Sequence, residues 1–228
     1  MTTLTARRAR AVLKRLQRIQ EPFEPKPRLR PLDELIMTVL SQHTSDSNTE
    51  RAFASLRRRF RTWEEVRAAP VRDVADAIRS GGLAEQKAPR LKAILDEIAA
   101  REGKVSLDRL HSLPDDEIET YLVSLPGVGP KTAACVLCFS LGRAAFPVDT
   151  HVHRVALRLG WIPPKTSAER AHLVLGQAIP PDARYPLHVA LIRHGRTTCT
   201  ARRPYCSDCV LFDWCPSGTA FLAAGEAR

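Results

Sequence analysis

LPGVGPKTAACVLC, residues 125–138, decides how the rest of the chain is read. Gly127, Gly129 and two prolines crowd into six positions, and an apolar run with helical spacing follows. GVGPKT comes near a nucleotide-binding P-loop, but there the last glycine touches the lysine, whereas Pro130 stands between Gly129 and Lys131. The preceding segment also reads as a helix, not a strand. What remains is helix, tight turn, helix. Gly127 and Gly129 are both expected to tolerate positive φ and a close backbone approach. Pro130 suits the first turn of the second helix, where its missing N–H costs nothing. Exposed amides at that helix start form a seat for a phosphate, so the hairpin can hold a nucleic-acid backbone without reading sequence. An ordinary αα-turn is the plainer reading of the same residues.

Lys131 lies at the mouth of this helix. A positive helix end and partial burial both disfavour an ammonium group, and an amine without its extra proton is a nucleophile. A solvated surface charge is the commoner fate of a lysine. Eighteen residues on, FPVDTHVHR places Asp149 before a helical stretch carrying Val152, Val155 and Leu159. Asp149 is an expected N-cap, and also a candidate carboxylate partner for the lysine.

Outward from this pair, composition narrows the field. The 228 residues suffice for one large domain or two small ones, and Lys plus Arg outnumber Asp plus Glu by 35 to 25. A surplus of that sign suits a polyanion, with nucleic acid ahead of membrane. No apolar run is long enough to cross a bilayer, and MTTLTARRARAVLKRLQRIQ lacks an apolar signal core, so secretion is not expected. The spacing predicts an all-α chain of ten or so short helices. Asp33 is expected to cap one, TWEE at 62–65 reads as a capping box, Gly81 and Gly82 stop another, and further starts fall near Thr166–Glu169 and Pro181. Leu91, Ile94, Leu95 and Ile98 make the cleanest stripe.

The C-terminal stretch CTARRPYCSDCVLFDWC sets Cys199, Cys206, Cys209 and Cys215 at spacings x6, x2 and x5. Four thiolates this close can enclose a metal centre, with free thiols the plainer reading, and their chemistry alone permits zinc or an iron–sulfur cluster. Cys135 and Cys138 sit in the apolar AACVLCFSL, where cysteine acts as a small hydrophobe, and are read as core.

LPGVGPKTA followed by VDTHVHR resembles the helix-hairpin-helix DNA glycosylases, and most nearly the endonuclease III family, over residues 30–216. The resemblance implies an all-helical protein of two lobes with a cleft between them: a six-helix barrel with the hairpin at 33–143, and a discontinuous iron–sulfur domain from 1–32 and 144–228. It implies a bifunctional glycosylase and abasic-site lyase that removes oxidised pyrimidines from double-stranded DNA, acting as a monomer. Lys131 would attack C1′, Asp149 would support base departure, and β-elimination through a Schiff base would cut the strand. The cysteine spacing matches the family's [4Fe–4S] loop, which would present Arg202 and Arg203 to phosphates. The family's two base-extruding loops correspond to LSQHTSD, ending at Asp46, and GGLAEQKA at 81–88. His43 stands where the family has a wedge glutamine, a departure that Gln42 could offset by a one-residue shift, and Leu83 matches the inserted leucine. Lys87 is expected at a phosphate or in solvent. His151 and His153, close to Asp149, are read as structural. A glycosylase of the same family for mismatched thymine or uracil, and a non-catalytic DNA-binding hairpin module, are the alternatives.

Overall fold

The computed structural model describes residues 4–20 and 29–228. Among them are twelve α-helices, several short 3₁₀ turns and no strand. The chain divides into two compact units, Lys26–Arg143 and a split unit of Met1–Pro25 with Ala144–Arg228. Residues 1–3 and 21–28, within the 1–32 stretch assigned above to the iron–sulfur domain, lie outside the described residues.

The Lys26–Arg143 unit is built around α2 (Pro31–Leu40). Leu35, Ile36, Val39 and Leu40 are wholly buried, each stabilising the fold by about 1.5–3 kcal/mol. Packed on α2 are α3 (Asp46–Arg59), α6 (Ala84–Glu102) and α8 (Pro130–Cys135). The Leu91, Ile94, Leu95, Ile98 stripe of α6 is fully buried. Between these run α4 (Trp63–Ala68), α5 (Val71–Ile78) and α7 (Asp115–Val123). Thr62 caps α4 by accepting from the Glu65 N–H at 3.1 Å, while the Glu65 carboxylate reaches back to the Arg61 N–H. Asp33 does not cap α2. The chain enters that helix through Arg30 and Pro31, and Asp33 Oδ1 instead accepts from the Trp63 indole N–H at 2.8 Å. A proline at N1 already relieves the helix start of one orphan N–H, which frees the carboxylate for tertiary work. Residues Val136–Ser140 continue α8 as a π-helical turn.

The split unit packs α1 (Ala6–Gln17), α9 (Thr150–Arg158), α10 (Ala168–Ala178), α11 (Pro181–Thr197) and α12 (Pro216–Ala223). Its core joins Val12, Leu13 and Leu16 of α1 to Val152 and Val155 of α9 and Leu187 and Leu191 of α11. The cap of α10 is Ser167, one residue beyond the expected Thr166. Thr166 spends its hydroxyl on the Pro163 carbonyl at 2.6 Å.

Candidate functional site

The residues singled out from the sequence fall into two sets. Lys131, Gly127, Gly129, Gln42, His43 and Leu83 belong to the Lys26–Arg143 unit; Asp149, Arg202, Arg203 and the four spaced cysteines belong to the split unit. In the first set, the hairpin turns at Gly127, whose φ of 70° lies in the left-handed region. A Cβ there would also sit 2.8 Å from the Arg90 side chain. Gly129 differs from expectation. Its φ is −103° with extended ψ, a conformation open to any residue, because it serves as the N-cap of α8 and not as the turn. Space lies open beside it, with nothing within 4 Å of a Cβ. Lys131 occupies the first turn of α8 and is half-buried.

Two loops of the same unit end in backbone that L-residues avoid. His43 has φ 55° and Leu83 φ 51°, and both side chains are exposed, Leu83 by 45%. With Lys165 they are the only non-glycine positive φ angles among the described residues. An exposed leucine held in a strained turn is not a core residue. Gln42 is engaged: its Oε1 accepts from Arg90 at 2.9 Å. Lys87 meets neither phosphate nor solvent. It is 3% exposed and its Nζ donates to the Leu40 and Gly81 carbonyls at 2.7 and 2.9 Å. Burial pushes its pKa below the ordinary lysine value.

In the split unit, Asp149 is the N-cap of α9, its Oδ1 accepting from the Val152 N–H at 2.7 Å. The segment leading to it is pinned by α11, where His188 contacts the Pro147 carbonyl at 2.8 Å and Arg184 donates to the Ala144 carbonyl. His151 accepts from Arg154 at 3.1 Å and His153 contacts the Thr166 carbonyl at 2.8 Å, so both rings are tied within their own unit.

Cys199, Cys206, Cys209 and Cys215 line one apolar cavity with Leu211, Phe212 and Phe221. Among the described residues no three ligand-type side chains are drawn close enough to grip a single ion. Four thiols spread around the walls of a common cavity fit a cluster of several irons better than one tetrahedral zinc. Burial raises the pKa of the Cys206 and Cys215 thiols and pushes Cys209 up to about 11, so a cationic centre is needed to draw them out as thiolates. His194 Nε2 lies 3.7 Å from the Cys209 sulfur, and burial pushes that ring down to about 4.

Sequence reasoning missed what holds this loop. Arg158 donates to the Thr200 and Ala201 carbonyls at 2.7 and 2.9 Å and to the Cys199 sulfur at 3.2 Å. Arg154 donates to the Gly195 and Cys199 carbonyls at 2.7 and 3.1 Å. Their i, i+4 spacing on α9 was the available signal. Arg202 and Arg203 are exposed at the loop tip. Cys135 and Cys138 are buried in the apolar helix, and burial pushes Cys138 up to about 12, which leaves it an inert thiol.

Residues 36–181 match the HhH-GPD superfamily of base excision DNA repair proteins, and residues 199–215 match the iron–sulfur binding domain of endonuclease III. A protein of Arabidopsis thaliana named as a DNA glycosylase is 40% identical over 78% of this chain, which spans 58% of that relative's length. Endonuclease III of Thermotoga maritima is 35% identical over 91% of this chain and 90% of its own. The solved structure of a non-covalent endonuclease III–DNA complex superposes with a TM-score of 0.82 at 29% identity, covering 97% of this chain and 100% of that one.

Proposed function

The chain belongs to the HhH-GPD superfamily of base excision DNA repair proteins and, within it, to the endonuclease III family, and on that premise we propose that it is a bifunctional DNA glycosylase and abasic-site lyase for oxidised pyrimidines in duplex DNA. The observation that carries the reading is Lys131, a half-buried amine in the first turn of the helix that the Gly127 turn introduces. The relative that removes adenine opposite oxidised guanine lacks a lysine here, so its presence favours the lyase branch.

The Lys131 amine attacks C1′ of an extruded nucleotide. The C1′–N bond breaks and the base leaves with the electron pair, taking up a proton. The sugar ring then opens at C1′–O4′, O4′ gains a proton, and Nζ and C1′ are joined as a Schiff base. A proton leaves C2′, the C3′–O bond breaks, and the strand is cut 3′ to the lesion. Asp149 supplies the carboxylate that supports departure of the base. The α9 cap bond fixes one of its oxygens.

Cys199, Cys206, Cys209 and Cys215 hold a [4Fe–4S] cluster, whose role when bound is to fold the loop that carries Arg202 and Arg203. Those two arginines contact phosphates, with Gly127 and Gly129 clamping the backbone through amides. The protein acts as a monomer. His43 and Leu83 fill the gap left by the extruded base. An imidazole where the family has a glutamine offers no amide pairing, so the opposite-base preference departs from the family's.

Borohydride reduction on a thymine glycol duplex tests the mechanism. The wild type forms a covalent protein–DNA adduct and Lys131→Ala forms none. An adduct surviving in Lys131→Ala removes this lysine from the chemistry. An adduct only with mismatched thymine moves the substrate class.

A further inference from the structure

The Lys26–Arg143 unit contains a buried cation that the chemistry above does not use. Lys87 projects from the second turn of α6 into a place with 3% exposure. Its two acceptors are 41 residues apart in sequence and share one property. Leu40 is the last residue of α2, immediately before the loop bearing Gln42 and His43. Gly81 closes the 3₁₀ turn immediately before Gly82 and Leu83. Each carbonyl is thus the final one before a loop whose tip is held at positive φ, His43 at 55° in one and Leu83 at 51° in the other. Strain of this kind persists only where the surroundings over-determine it.

Apolar packing would bury this region at less cost, since dehydrating an ammonium is expensive and its depressed pKa reflects that expense. What packing cannot do is fix the distance between two backbone carbonyls, which directional charge-assisted bonds do. The site also suits a cation, because the Leu40 carbonyl is the negative end of α2. One turn further along α6, Arg90 extends the arrangement. It holds Gln42 at 2.9 Å and lies across the Gly127 turn. Two cations on one face of α6 thus bond to both loops, and the second packs against the hairpin turn.

We propose that Lys87 is a positioning residue for opening the duplex, joining the 41–46 loop and the 81–83 turn into one rigid element that presents His43 and Leu83 together. This rests on the reading that those two residues fill the space of an extruded nucleotide. It sets the residue apart from the catalytic Lys131, because its contribution falls on separating stacked bases and not on breaking bonds.

An abasic site placed either in a duplex or in a single strand separates the two contributions. Lys87→Met removes the donors while keeping an unbranched side chain only one atom shorter. It should slow borohydride trapping on the duplex by roughly tenfold or more, as small misplacements of binding groups do. The rate on the single strand, where nothing need be unstacked, should change by less than about threefold. The fluorescence rise of 2-aminopurine opposite the site should slow in parallel. Leu83→Ala should show the same duplex-selective loss, and the double variant should lose little more than either single change. Lys87→Gln keeps an uncharged donor group on a shorter side chain and serves the same comparison if Lys87→Met does not stay folded. Equal losses on both substrates, or none on the duplex, overturn the role of Lys87. Failure of the wild type to trap either substrate overturns the lyase reading instead.

Discussion

Asp149 carries two duties through one side chain, and they can be separated. Asparagine caps a helix as well as aspartate does but has no charge. Asp149→Asn should therefore leave melting behaviour close to wild type while lowering single-turnover base excision by about 10²–10⁴-fold. Asp149→Ala should lose that activity and about 1 kcal/mol of stability as well, through the orphaned Val152 N–H. Stability and excision assays on both variants check this, and an active Asp149→Asn would leave the carboxylate with capping alone. At this scale the places of Lys131 in the first turn of α8 and of Asp149 as the cap of α9 were legible because their settings are local: a turn and a helix start. Lys87, Arg90, Arg154 and Arg158 were not. A charged side chain is ordinarily solvated, and only tertiary structure reveals that the partners are backbone carbonyls elsewhere in the chain or, for Arg90, the Gln42 side chain.

The hairpin divides its glycines between two tasks. Gly127 makes the turn with φ 70° and Arg90 across it, whereas Gly129 caps α8 in extended backbone beside open space. Gly127→Ala should cost about 1–2 kcal/mol from the left-handed backbone alone, more once Arg90 is displaced from Gln42. Gly129→Ala should cost less than about 1 kcal/mol, as a weaker cap, yet it puts a methyl group on the side proposed to meet a phosphate. Thermal unfolding and DNA titration should therefore rank the two variants differently, Gly127→Ala the less stable and Gly129→Ala chiefly the weaker binder. The sequence treats the two glycines alike because both conformations are open to glycine, and only dihedral angles distinguish a turn from a cap. Helix starts slipped for a related reason. Asp33 and Thr166 are good caps by type, but α2 starts three residues earlier, at Arg30 and Pro31, and Ser167 caps α10.

Across the whole molecule, the surplus of ten positive charges gives a general attraction to DNA, upon which particular contacts are superimposed. Removing one phosphate contact should reduce the slope of log affinity against log salt by about 0.9. Arg202→Ala and Arg203→Ala should each do so while leaving the single-turnover rate at saturating protein unchanged. An unaltered slope in both would mean that the loop tip does not meet the backbone. The all-helical class was readable throughout because 3.6-residue periodicity is a local property. That α1 shares a core with residues beyond Ala144 is not written in any period, since long-range packing leaves no repeat in the sequence.

That shared core orders events during synthesis. Arg8 donates to the Trp214 carbonyl at 3.1 Å, and the Arg15 guanidinium lies 3.6 Å over the Trp214 ring while donating to the Val210 carbonyl. These pairs are about two hundred positions apart, so α1 waits for the Val210–Trp214 stretch to be made before it can dock. The Lys26–Arg143 unit has no such wait and can condense while translation continues. Metal insertion at Cys199–Cys215 is therefore a late step, and a nascent chain stalled before Trp214 carries an unlatched amphipathic helix, a natural handle for chaperones.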